Sequence, residues 1–69
     1  MIYYFYVRKA IHMGWEETGH QKFERISDLT TEYLYFSLRD ACWIYSLIDN
    51  DVLVKTLKFK TINSALTEI

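Results

Sequence analysis

Cys42 is the only cysteine in a chain of 69 residues, and that narrows what the chain can fold into. A domain this short buries only about 60% of the surface its unfolded chain exposes. Most such domains need a disulfide, a metal or a partner to hold together. A lone thiol makes no internal disulfide and fits a reducing compartment. The core must therefore come from aromatic rings. There are four Phe, six Tyr and two Trp, each able to bury about 150–250 Å². With 51% hydrophobic residues the chain lies outside the disordered class. Tyrosine combines an apolar ring with a polar tip, which suits a half-buried sheet face or an interface more than a dry core.

Eight basic residues stand against nine acidic ones, for a net charge of −1. A phosphate-backbone binder carries a basic excess and a DNA mimic a strongly acidic one; this balance argues against both. The opening run MIYYFYVRKAIHMG meets charge at Arg8 and Lys9 and lacks the basic-then-apolar order of a signal peptide. No apolar run approaches the roughly 18 residues of a membrane-spanning helix. The expectation is one domain over residues 1–62 with a tail over 63–69, in the cytoplasm (the host cytoplasm if the chain is phage-encoded).

Residue composition sets the expected elements. Ile2 to Met13 is rich in Tyr, Phe, Val and Ile and is predicted as a long strand. Its odd positions, including Phe5, Val7 and Ile11, are expected to face the core, and Tyr4, Tyr6 and Arg8 to face away. Gly14 to Gly19 is predicted as a hairpin connection and Gln21 to Ser27 as a polar returning strand. Asp28 to Glu32 is turn-like, and Tyr33 to Phe36 is a short apolar run that fits a third strand. Ser37-Leu38-Arg39-Asp40 has the spacing of a capping box. Leu38, Ala41, Cys42, Tyr45 and Ile48 then recur at helical spacing, which predicts a helix from Ser37 to Ile48. A competing reading runs one helix from Thr31 to Ile48. Val52 to Ile62 is predicted as the last strand. The expected fold is α+β: a small antiparallel sheet with one helix packed on one face, in the order β-β-(β)-α-β.

Chemistry-bearing constellations are few. His12 and His20 flank the expected hairpin, but their spacing matches no zinc signature, and solvated turn histidines are the plainer reading. Cys42 falls on the apolar stripe of the expected helix, where cysteine behaves as a small hydrophobe and not as a nucleophile. No nucleophile elbow, phosphate-binding loop or metalloprotease motif is present. No enzyme, metal or cofactor is expected. Tyr4 and Tyr6 beside Arg8 resemble a base-stacking platform, but such platforms sit in a positive surround that this composition lacks. The other reading of the same residues is an exposed aromatic interface. Tyr4, Tyr6, Arg8, Trp15 and Trp43 are its candidate partner-binding residues, with a homodimer or a protein partner as occupant.

Met13-Gly14-Trp15 after a first strand, and Ile48-Asp49-Asn50 closing a helix before a last strand, make the chain resemble the Dmd antitoxins of T-even phages over about Val7 to Lys60. The resemblance implies a phage protein that binds a host RNase toxin and blocks its active site. The N-terminal aromatics and the 63–69 tail depart from that pattern. The sequence reading is thus a small non-enzymatic protein-binding domain, of the kind phages use to inhibit host defence or toxin proteins. A small nucleic-acid-binding regulator is the second reading.

Overall fold

The protein, seen in a computed structural model that describes residues 2–69, begins with a helix where the alternation of aromatics predicted a strand. Helix α1 covers Ile2–His12. Tyr3, Tyr6, Val7 and Ala10 lie at i, i+3, i+4 and i+7, and this stripe packs into the core. Gly14 stops the helix at a φ of +93°, which costs a glycine nothing. Trp15 N–H donates to the Ala10 carbonyl and Gly14 N–H to the Ile11 carbonyl, each at 3.0 Å. This is the Schellman arrangement, with Trp15 and Ala10 supplying its buried apolar contact.

Five antiparallel strands follow as a plain meander: β1 (Glu16–Gly19), β2 (Lys22–Ile26), β3 (Thr30–Ser37), β4 (Cys42–Asp49) and β5 (Val52–Phe59). A second helix, α2 (Ile62–Glu68), ends the chain. Mixed α+β with an antiparallel sheet is as expected; the order of elements is not. The segments 22–26, 33–36 and 52–59 are strands as predicted, but the predicted helix over Ser37 to Ile48 is a tight turn followed by the central strand β4. The longer helix from Thr31 is absent for the same reason.

The sheet register explains β4. Tyr45 lies between Leu34 and Leu57, and Trp43 between Phe36 and Phe59, all on one face. Phe23 extends the first of these rows from β2. Ile44 and Ile48 point to the other face, opposite Tyr35 and Thr31. A central strand apolar on both faces shows no clean alternation, so the apolar positions of β4 also fit a helical stripe. The Ser37–Asp40 hydrogen bonds do form: the Asp40 N–H donates to Ser37 Oγ at 3.2 Å, and that hydroxyl donates to Asp40 Oδ2 at 3.4 Å. They close the β3–β4 turn instead of capping a helix, and Ala41 leaves the turn at a φ of +52°.

Both helices place their buried residues in one cluster on the Tyr45 face. α1 gives Val7 and Ala10, α2 gives Ile62, Ala65 and Leu66, and the sheet adds Phe23, Leu34, Trp43 and Tyr45. Residues 63–69, expected as a tail, thus complete the core; the Thr61 hydroxyl caps α2 by accepting from the Ser64 N–H at 3.1 Å. The opposite sheet face carries Tyr33, Tyr35, Ile44 and Ile48 and receives neither helix. No helix among the described residues is long and apolar enough to cross a membrane.

Candidate functional site: the solvent face of the first helix

Turning Ile2–His12 from strand to helix redistributes the candidate residues. A helix sorts side chains every 3.6 residues, so Tyr4, Phe5, Arg8, Ile11 and His12 share one side, away from the Tyr3/Tyr6/Val7/Ala10 stripe. That side faces solvent, with Tyr4 64%, Phe5 63% and Ile11 53% exposed. Tyr4, Phe5, Arg8, Lys9 and His12 line a shallow surface groove of about 570 Å³. No acidic residue occurs anywhere in α1. The groove is therefore aromatic at one end and basic at the other.

Of the five expected partner-binding residues, Tyr4 and Arg8 belong to this surface. Tyr6 does not: it is half-buried against the core, its ring packed edge-on to Phe5 with centroids 5.3 Å apart. Trp15 and Trp43 are only 2% and 5% exposed. Trp15 closes the helix cap, and Trp43 sits between Phe36 and Phe23 in the core. Neither can anchor a partner. Phe5 and Ile11, expected in the core, are instead two of the most exposed apolar residues of the site. The helical stripe ending at a glycine was the signal that could have placed them.

The C-terminal end of α1 is fixed to the sheet by one arginine. Arg25 on β2 donates to the Met13 carbonyl at 3.0 Å and to both carboxylate oxygens of Glu32 on β3, at 2.6 and 2.9 Å. Its guanidinium also lies 4.4 Å from the centre of the Trp15 ring. The Tyr45 hydroxyl donates to the second Glu32 oxygen. At the other end of the helix, Tyr3 Oη accepts from the Gln21 N–H at 3.2 Å. Both ends are tied, so the exposed side chains are carried on a fixed support.

The charges of this clamp suit structure more than catalysis. The bidentate guanidinium of Arg25 holds the Glu32 carboxyl below its usual range, aided by the Tyr45 hydroxyl, against an opposing contribution from burial. Glu32 is therefore a poor base. Burial, and then the bond to Glu32, pushes the Tyr45 phenol up to about 12, so it is a poor acid at neutral pH. Cys42, expected buried on a helix, is half-buried at the start of β4 opposite Ser37. His12 lies on the α1 surface, and His20 in the β1–β2 turn has its ring 6.0 Å from that of Tyr3. Among the described residues no group of three or more His, Cys, Asp or Glu side chains is placed to hold a metal ion.

Comparison with family models, with curated proteins and with solved structures finds no match for this chain. The two tripeptides that resemble Dmd antitoxins stand in other elements than that resemblance implies. Met13-Gly14-Trp15 closes a helix, and Ile48-Asp49-Asn50 ends a strand and enters a hairpin.

Proposed function

We propose that this is a non-enzymatic protein-binding domain that docks α1 into a groove on its partner. The observation that carries the reading is the solvent face of α1, where Tyr4, Phe5 and Ile11 are each more than half exposed. Exposing three large apolar side chains on one helix face serves no purpose in folding, whereas an i, i+4, i+7 set such as Tyr4, Arg8 and Ile11 is how a helix engages a groove. Tyr and Arg are also the residue types in which binding energy concentrates. The basic end of α1 favours an acidic partner surface. Among small proteins that act by binding alone, a phage-type inhibitor of a host defence or toxin protein, antitoxin-like in action, is the role we assign. The basic face argues against docking into the phosphate-binding active site of an RNase toxin, so inhibition would run through another, acidic surface of the target.

One observation favours a second reading. Tyr4 and Phe5 beside Arg8, Lys9 and His12 make an aromatic and basic strip, the combination that holds single-stranded nucleic acid. One experiment separates the two. Wild-type protein, a Tyr4→Ala/Phe5→Ala variant and a Leu38→Ala control are immobilised and challenged with cell lysate and with single-stranded nucleic acid. Leu38 is 88% exposed in the β3–β4 turn and outside the strip. The protein-binding reading expects a protein retained by wild type and control and lost with the double variant. Nucleic-acid retention that collapses between low and physiological salt and depends on Tyr4 and Phe5 would replace it with the second reading.

A further inference from the structure

At one end of the sheet the β2–β3 turn (27–29) and the β4–β5 turn (50–51) lie side by side, joined by the Asn50 N–H donating to the Leu29 carbonyl at 2.9 Å. Between them is a groove of about 250 Å³, with Ile26, Leu29 and Ile48 as its apolar walls and Asp28 and Asp51 as its charges. Ile26 and Leu29 are 66% and 69% exposed. Turns favour Gly, Pro, Asn, Asp and Ser, each for its backbone preference or its local hydrogen bonds. Leu29 offers neither, so its place in the turn calls for another reason.

The turn groove is opposite in sign to the solvent face of α1. Among the described residues its lining holds no basic side chain, and the lining of the α1 groove holds no acidic one. Arg8 stands one helical turn from Tyr4, on the same side of α1. A Tyr4 ring seated against Ile26, Leu29 and Ile48 therefore brings the guanidinium to the rim, where Asp28 and Asp51 lie. α1 is tied to its own sheet at Gln21 and Arg25, so its solvent face cannot swing onto its own turn groove. The complement has to come from a second molecule. At a net charge of −1, two copies meet with little overall repulsion.

We infer that the α1 face of one copy docks on the turn groove of a second copy, head to tail, with Tyr4 against the apolar walls and Arg8 against Asp28 and Asp51. The inference rests on the reading of α1 as a docking helix and names one partner for it. The two copies use different surfaces, so each pair keeps one free α1 and one free groove, and association continues as concentration rises. The groove is small and its charges are exposed. The contact is therefore weak and salt-sensitive, and a tighter partner on α1 displaces it.

Sedimentation of the full chain over a range of concentrations tests it, with circular dichroism as the check on folding. Wild type is expected to associate at low salt and to return to monomer in about 1 M salt, where exposed charges are screened beyond about 3 Å. Tyr4→Ala/Arg8→Ala removes the helix half of the contact, and Asp28→Lys/Asp51→Asn removes the groove half while keeping a residue that tolerates the positive φ of Asp51. Each variant alone should be a folded monomer. An equal mixture holds one intact helix face and one intact groove per pair, so it should form a one-to-one complex and go no further. Wild type that stays monomeric at low salt, association that survives either variant, or a mixture that stays monomeric or grows beyond two chains would overturn the proposal. If Asp28→Lys/Asp51→Asn fails to fold, Leu29→Lys takes its place as the groove variant. Lysate capture separates this failure from that of the functional reading. Wild type that stays monomeric yet retains a protein through Tyr4 and Phe5 sinks the self-association alone.

Discussion

Arg25 ties three parts of the molecule together. It reaches the carboxylate of Glu32, the carbonyl that ends α1 and the face of Trp15. Arg25→Ala removes charge-assisted bonds and strands a half-buried carboxylate, so equilibrium denaturation should show a loss of about 2–3 kcal/mol. Arg25→Lys restores the charge but not the planar fork and should recover only part of that loss. The same cluster sets the pH limits of the fold. The Glu32 carboxyl is lowered in the folded protein, so its contribution is present above the ordinary carboxylate pKa and lost as pH falls through the lowered value. Tyr45 is raised to about 12, so its contribution is full below the ordinary phenol value and lost as pH rises between about 10 and 12. Melting temperature against pH should therefore fall less steeply in acid for Glu32→Gln and less steeply in alkali for Tyr45→Phe. Parallel curves for wild type and both variants would refute the clamp. In the sequence Arg25 was visible only as a polar strand residue and Glu32 only as the end of a turn-like segment, because nothing local says that residues seven apart will meet across a strand pair.

At the scale of elements, the sequence was clearest where turn chemistry was strongest. Asn50 and Asp51, both at positive φ, make the two-residue β4–β5 hairpin; their turn chemistry was legible, but as the stop of a helix and not as the link between two strands. Gly14 was legible as a breaker but was assigned to a hairpin, because the run before it was taken for a strand. Aromatic-rich composition favours strands in general, and here the tertiary contacts of Tyr3, Tyr6, Val7 and Ala10 outweigh it. Ser37–Asp40 shows the converse: a correctly read pair of local hydrogen bonds serves equally as a helix start or a tight turn, and only the partners of β4 decide. Gly14→Ala tests the helix cap. A Cβ there would meet Arg25 Cδ at 3.5 Å, an ordinary contact, so the cost is the left-handed backbone alone, about 1–2 kcal/mol in denaturation. A neutral result would mean that α1 does not end in this arrangement.

For the whole molecule, two helices cover one face of a five-stranded sheet, and a chain without disulfides depends on that single core. Leu34, fully buried at its centre, should cost about 2–5 kcal/mol as Leu34→Ala, a large share of what a domain this small possesses. Tyr4→Ala/Phe5→Ala should leave the thermal melt nearly unchanged, because those rings bury little. This contrast separates residues kept for folding from residues kept for contact, and it reverses the expectation drawn for Phe5 from strand alternation. The fold class was legible in composition and turn spacing. The site was legible in part: Tyr4 and Arg8 could be named in advance, while Phe5, Ile11 and His12 joined them only once the helix set the geometry. The most direct test of the α1 surface is the amide NMR spectrum of labelled protein before and after addition of a captured partner. Shift changes gathered on Tyr4, Phe5, Arg8, Ile11 and His12, with the strands undisturbed, are the expected result. Changes centred instead on the open sheet face around Tyr33, Ile44 and Ile48 would contradict it.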